Sequence, residues 1–213
     1  IDTFQIVFFR GLFTLFTTVL IIKIKQIHLW GYSKKKLVFR GLSGTFALFF
    51  VYESIQRFSL SEATVIQYLY PLFTVIFASI LLNENFSLKH CIAVALGLIG
   101  IYIVLDYPFL YSYKPFNYLD FFLGLLGATF TGLAYVMVRL CSKLEESPFV
   151  IMFYFPLFTV PLSLPFAFLN WTSPTLTNWI ILILIGIFTQ VGQTFLTFGY
   201  KLLPARKAST MSY

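Results

Sequence analysis

Seven hydrophobic stretches dominate this 213-residue sequence, and each is long enough to cross a lipid bilayer as an α-helix. A bilayer core about 30 Å thick requires roughly 20 apolar helical residues. The stretches lie at 4–22, 37–58, 62–82, 89–107, 119–141, 148–170 and 175–203, and an eighth opens at 204–213. Only 11% of the residues are charged, compared with about 25% in soluble domains. The sequence therefore predicts an all-α integral membrane protein.

Positively charged residues are distributed unevenly among the connections between these stretches. Twelve lie in or beside the connections 24–36, 83–88, 142–147 and 201–207, whereas the other connections hold two, Arg57 and Lys114. By the positive-inside rule, these four connections are predicted to face the cytoplasm and residue 1 the outside, in a plasma (inner) membrane. No nucleic-acid partner is expected despite the net charge of +7, because such binding requires a basic patch on a soluble face.

An internal repeat relates two parts of the chain. Residues 4–15 align without a gap to residues 149–160, with six identities at an offset of 145. The same offset aligns Tyr68 with Tyr213. Because it spans five predicted crossings, the two copies are expected to have opposite orientations in the membrane. Inverted repeats of this kind are typical of secondary transporters, whose substrate site lies near the midplane.

The same offset predicts the architecture of a complete protein. We expect ten helices in two inverted halves of five, with about helices 2–8 and the start of helix 9 present in this chain. Residues 1–108 would form the first repeat, lacking its first helix, and residues 119–213 the second repeat, truncated in its fourth helix. The expected fold is therefore a ten-helix inverted-repeat transporter, of which this sequence is a fragment.

Six short motifs follow one another along the chain: Phe9-Arg10-Gly11, Tyr52-Glu53-Ser54, Ser61-Glu62-Ala63-Thr64, Tyr70-Pro71-Leu72-Phe73, Leu82-Asn83-Glu84-Asn85 and Gly97-Leu98-Ile99-Gly100. Taken in this order, they resemble the motifs of the EamA-type drug/metabolite transporter superfamily. The resemblance covers nearly the whole chain. Two positions depart from the family pattern, since Glu53 stands where a small or apolar residue is usual and Asn83 stands where glycine is common.

The resemblance implies a carrier that moves small organic solutes, such as amino acids, nucleosides, sugars or drugs, by alternating access. It implies no enzymatic activity and no cofactor. Two alternatives stay open: a membrane-embedded enzyme acting on lipid-linked substrates, and a non-transporting membrane scaffold. The sequence has no clustered catalytic side chains and no metal-ligand spacing, so no catalytic residue and no metal site are predicted. The expected partners are a small-molecule solute and the lipid bilayer, and the existence of a homodimer is left open.

Two charged side chains are predicted to lie within hydrophobic stretches. Arg10 is about six residues into the first stretch, where an ionisable group is costly unless it is paired. It either binds an anionic group of the substrate or pairs with Glu53, or else it is a structural brace between the first two segments. Glu53 in turn either pairs with Arg57 at i, i+4 or faces the substrate cavity and couples transport to protons or cations.

Pro71 lies in the middle of the stretch 62–82 and predicts a kink, because it has no N–H to bond the carbonyl of Gln67. Tyr68 and Tyr70 lie beside the same point. Either these side chains contact substrate and Pro71 acts as a hinge, or the kink serves helix packing alone. Tyr68 and its repeat partner Tyr213 are candidates for opposite walls of one cavity.

Gln190 and Gln193 lie in the middle of the stretch 175–203. Side-chain amides inside a membrane need hydrogen-bond partners, which come from a neighbouring helix or from substrate and water. The two glutamines therefore either line the substrate cavity or hold two helices together.

Overall fold

The computed structural model describes residues 2–84, 88–104, 107, 110, 117–169 and 171–211. Every regular element within these residues is an α-helix, so the prediction of an all-α protein is confirmed for the described part of the chain. In chain order the helices are α1 (Thr3–Ile24), α2 (Lys34–Arg57), α3 (Leu60–Gln67), α4 (Tyr70–Leu82), α5 (Leu88–Val104), α6 (Tyr118–Lys143), α7 (Pro148–Leu169), α8 (Leu176–Leu202) and α9 (Ala205–Thr210).

Each of the seven predicted stretches is helical over most of its length. Within the described residues, five helical segments are long and apolar enough to cross a membrane: α1, α3 together with α4, α6, α7 and α8. The other two predicted crossings coincide with α2, which carries six charged residues, and with α5, which has 17 residues. The chain is thus a multi-pass integral membrane protein, and the crossings of α2 and α5 stay predictions.

The ends of two helices follow from local sequence. The Ser59 hydroxyl accepts a hydrogen bond from the Glu62 N–H at the start of α3, and the Glu62 carboxylate accepts one from the Ser59 N–H. This reciprocal arrangement satisfies N–H groups that have no partner within the helix. Asn83 caps the end of α4 and has a left-handed backbone with φ of 52°. Glycine and asparagine are the residues that adopt this conformation most readily, which explains why Asn83 is acceptable where the family pattern commonly has glycine.

The described chain divides into two compact units. Unit 1 comprises residues 1–45 and 141–202, and in it α1 packs against α7 and α8. Gly11 permits a close approach, because a Cβ at this position would lie 3.0 Å from Cγ2 of Val160 on α7. Near the start of α1, the ring of Phe9 contacts the rings of Trp171 and Trp179 at centroid distances of 5.7 and 5.0 Å. Small and aromatic side chains together join the three helices.

Unit 2 comprises residues 46–140 and 203–213. Two glycines bring α6 into backbone contact with its neighbours in this unit. A Cβ at Gly127 would lie 3.1 Å from the backbone nitrogen of Val51 on α2, and one at Gly132 would lie 2.9 Å from that of Thr74 on α4. Any larger residue would meet main-chain atoms, which cannot rotate away. The close packing of α6 therefore depends on these two glycines.

Candidate functional site

The stretch around Pro71 is broken into two helices in unit 2. α3 ends at Gln67 and α4 begins at Tyr70, with Pro71 in the first turn of α4 and Tyr68 and Leu69 between the two helices. Proline removes the helical hydrogen bond to the residue four positions earlier, which is Gln67. The break between α3 and α4 therefore lies at the position where the sequence predicts a kink.

The side chain of Gln67 is bonded to α6 at this break. Its Nε2 donates a hydrogen bond to Oγ1 of Thr131 at 3.1 Å, and the Thr131 hydroxyl donates to the carbonyl oxygen of Gly127 at 2.8 Å. An amide in an apolar region is stabilised by such a partner. Gln67 thus links the end of α3 to the middle of α6.

Three tyrosine rings surround the break. The Tyr70 ring meets the Tyr135 ring edge to face, with centroids 5.2 Å apart and an interplanar angle of 88°. The Tyr68 ring lies 6.4 Å from the Tyr70 ring. Edge-to-face packing is a favoured geometry for aromatic pairs. Tyr135 and Thr131 were absent from the sequence prediction, although their spacing of four residues on α6 places them on one helix face.

Glu53 belongs to a three-residue ionic cluster in unit 2. Arg57 donates from Nε and Nη2 to Oε2 of Glu53 at 3.1 Å each, and from Nη1 to Oδ1 of Asp120 at 2.9 Å. The pairing of Glu53 with Arg57 is one of the two interpretations that the sequence left open. Asp120 was missed because it lies on another helix, 63 positions along the chain from Arg57.

Gln190 is hydrogen-bonded within unit 1. Its Nε2 donates to Oγ1 of Thr18 on α1 at 3.2 Å, and its main-chain oxygen accepts from the Thr194 hydroxyl at 2.8 Å. Gln193, three residues along α8, is half-buried. The contact with Thr18 corresponds to the second predicted role, that of holding two helices together.

The remaining predicted residues are placed as follows. Arg10 is half-buried on α1 in unit 1, and Tyr213 lies outside the described residues. Among the side chains that the structure describes, no three His, Cys, Asp or Glu residues form a group able to hold a metal ion. The predicted residues thus fall into two groups, with Arg10, Gln190 and Gln193 in unit 1 and Glu53, Gln67, Tyr68, Tyr70 and Pro71 in unit 2.

Known proteins similar to this chain include membrane transporters from several bacteria. An uncharacterized transporter of Helicobacter pylori is 28% identical over 97% of this chain and 71% of its own length. The pseudopaline exporter CntI of Pseudomonas aeruginosa is 26% identical over 92% of this chain and 68% of its own length. An S-adenosylmethionine uptake transporter of Rickettsia prowazekii is 24% identical over 100% of this chain and 71% of its own length.

The fold is also similar to that of a protein solved by crystallography. The two align with a TM-score of 0.83 over 100% of this chain and 75% of the other, at 19% sequence identity. The sequence model of the EamA-like transporter family matches residues 1–106 and 120–213, which is most of the chain. The chain therefore belongs to the EamA-like transporter family of membrane proteins.

Proposed function

We propose that this protein is a carrier that moves small organic metabolites across a membrane by alternating access. The observation that carries the proposal is the family match in two successive stretches, 1–106 and 120–213, because two related halves are the basis of alternating access in many carriers. The named relatives are transporters, and this supports a transport function in preference to an enzyme or a scaffold.

The bounds of the helices support a repeat along the chain. When the chain is shifted by the offset of the sequence repeat, both ends of α1 (Thr3–Ile24) coincide with those of α7 (Pro148–Leu169). The same shift brings the end of α2 onto the end of α8, and the start of α3 onto the start of α9. We therefore retain the division into repeats at 1–108 and 119–213, within a ten-helix protein, as part of the proposal.

The proposed substrate contacts lie at the break between α3 and α4. Gln67, Tyr68 and Tyr70 offer an amide, two hydroxyls and two aromatic faces at this break. Interrupted helices provide the substrate contacts in many secondary transporters. Pro71 would act as the hinge. In unit 1, Gln190, which is hydrogen-bonded to Thr18, and Gln193 are proposed separately as polar contacts on α8.

The substrate class is proposed as small organic metabolites, and no direction of transport is assigned. Among the relatives, one is named as an exporter and another as an uptake transporter, so similarity to them does not fix the direction. A starting panel for transport assays contains S-adenosylmethionine, amino acids, nucleosides and sugars.

Counterflow in liposomes tests the proposed function. Vesicles containing the purified protein are loaded with one unlabelled panel compound, and uptake of the same labelled compound is followed. Saturable, protein-dependent accumulation of one compound is expected. Chemical conversion without flux would indicate the enzyme alternative. The absence of both flux and conversion, across the whole panel and a cell-derived metabolite extract, would count against a carrier.

Two substitutions test the proposed contacts once a transported compound is found. Tyr68→Phe and Gln190→Ala each remove hydrogen-bonding groups, and about 1 kcal/mol per lost bond corresponds to roughly a fivefold rise in KM. Tyr118→Phe, which alters an exposed tyrosine at the start of α6, is the matched control and should transport normally. Unchanged affinity and rate in both test variants would show that the contacts lie elsewhere.

A further inference from the structure

Several helix ends of unit 1 meet at one place. Glu146, between α6 and α7, contacts the connection between α1 and α2 by accepting a hydrogen bond from the Tyr32 N–H at 2.8 Å. Lys25, at the end of α1, lies 5.6 Å from the ring centre of Phe149 at the start of α7. A cavity of about 420 Å³ at this end is lined by residues of both connections and by Lys201 of α8.

Lysines are concentrated at this end of unit 1. Seven of them are exposed there, and we call them the basic end: Lys23, Lys25, Lys34, Lys35, Lys36, Lys143 and Lys201. The basic end therefore presents a dense group of positive charges to its surroundings.

Two acids, Glu145 and Glu146, lie beside these seven lysines, so the basic end keeps an excess of positive charge. The Glu146 side chain is buried, with the residue 2% exposed, and Oε1 accepts hydrogen bonds from the N–H groups of Tyr32 and Ser33. These donors lie at the start of α2, where the helix dipole also favours a negative charge. The carboxylate is thus occupied by the backbone, which leaves Glu145 as the exposed acid beside it.

Aromatic side chains accompany the lysines on the same connection. Trp30 is 48% exposed and Tyr32 is 84% exposed. The main chain at Trp30 is held in place, because its carbonyl oxygen accepts a hydrogen bond from the Tyr154 hydroxyl at 3.0 Å. Tryptophan and tyrosine prefer the headgroup layer of a bilayer. The connection is therefore fixed to the unit while its aromatic rings face outward.

We propose that the basic end of unit 1 binds the headgroups of anionic phospholipids. Clustered lysines at the ends of membrane helices attract anionic lipids, and the attraction increases with each lysine near the surface. Trp30 and Tyr32 would lie in the headgroup layer beside the bound phosphates. The proposal goes beyond transport, since it concerns which lipids surround the protein and holds whatever the transported compound is.

Fluorescence quenching by brominated lipids tests this proposal. The chain has three tryptophans, so Trp171→Phe and Trp179→Phe together leave Trp30 as the reporter at the basic end. The protein is reconstituted into phosphatidylcholine vesicles containing either brominated phosphatidylglycerol or an equal fraction of brominated phosphatidylcholine. Enrichment of the anionic lipid should make phosphatidylglycerol about two- to threefold more effective as a quencher of Trp30.

Trp30→Phe provides the positional control. It leaves Trp171 and Trp179 near the other end of α1, where both contact Phe9. These reporters should be quenched equally by the two brominated lipids. Equal quenching of Trp30 as well would overturn the proposal.

Charge variants separate local binding from a general effect of net charge. Lys34→Gln with Lys35→Gln should reduce the preference at Trp30, whereas Lys89→Gln with Lys207→Gln removes the same charge from unit 2 and should preserve it. Equal loss of the preference in both pairs would contradict local binding at the basic end.

A separate experiment distinguishes lipid headgroups from free phosphate. Inorganic phosphate is added to one sample and sodium chloride at equal ionic strength to another. Loss of the preference with phosphate alone would identify a free-phosphate site instead.

Discussion

At the residue scale, Glu146 illustrates how one buried carboxylate fixes a connection. It bonds the N–H groups of Tyr32 and Ser33, and Gly31 beside them has a left-handed backbone with φ of 60°. A Cβ at Gly31 would lie 2.6 Å from Oε2 of Glu146. The carboxylate and the glycine therefore fit together, and a change at either should loosen the connection between α1 and α2.

Glu146→Gln should weaken this attachment. A glutamine keeps the shape and can keep its oxygen toward both N–H donors, but it loses the charge. Two charge-assisted hydrogen bonds then become neutral ones, with an expected cost of about 1–2 kcal/mol. Hydrogen–deuterium exchange should accelerate at the Tyr32 and Ser33 amides, and the unfolding temperature in detergent should fall. Glu145→Gln, at the exposed neighbouring residue, is the control. Unchanged exchange in Glu146→Gln would contradict the assigned role.

The sequence predicted polar contacts only where they are local. Glu53 and Arg57 are four residues apart on one helix, so their pairing follows from helix geometry. Asp120 joins the same arginine from another helix, and Gln190 reaches Thr18 across 172 positions. Both of these contacts depend on how helices pack, which periodicity and composition do not specify.

At the scale of elements, the positions of the helices follow from hydrophobicity and their contacts follow from small residues. The break between α3 and α4 was predicted from Pro71, because proline acts on its own backbone. The approach of α6 to that break was not predicted, because it depends on how helices pack. In the structure Gly132 faces main-chain atoms of Tyr70 and Thr74 at 3.0 and 2.9 Å from a Cβ position.

Two glycine substitutions with opposite expected signs test this packing. Gly132→Ala places a methyl group against fixed backbone and should destabilise the protein by about 1–3 kcal/mol. Gly192→Ala is the matched change on α8, where nothing lies within 4 Å of the Cβ position, and higher helix propensity should stabilise it by up to about 1 kcal/mol. Thermal unfolding in detergent measures both. Equal shifts in the two variants would show that the contact at Gly132 is not a tight one.

At the scale of the whole molecule, two ways of dividing the chain differ. The proposed repeats separate residues 1–108 from 119–213, whereas each compact unit contains helices from both of these stretches. In unit 1, for example, α1 packs against α7, the helix that the repeat offset pairs with it. The proposed duplication runs along the chain, but packing brings the helices that it pairs together. The spatial units were therefore not predictable from the repeat alone.

The number and direction of the membrane crossings can be tested by labelling single cysteines from one side of the membrane. If α2 and α5 both cross, Tyr32 and Leu88 face the cytoplasm while Leu60 and Tyr118 face outward, as the distribution of lysine and arginine predicts. All four side chains are at least 70% exposed. Each is replaced singly by cysteine in a variant in which Cys91 and Cys141, the two native cysteines, are replaced by alanine.

A membrane-impermeant maleimide applied to intact cells should label the cysteines at 60 and 118, and label those at 32 and 88 only after permeabilisation. Positions 32 and 60 test the crossing of α2, and positions 88 and 118 test the crossing of α5. Equal access at 32 and 60 would mean that α2 does not cross, and equal access at 88 and 118 would mean the same for α5. Because α3 and α4 together are long and apolar enough to form one crossing, positions 60 and 88 are expected to differ, and they serve as the internal control for sidedness.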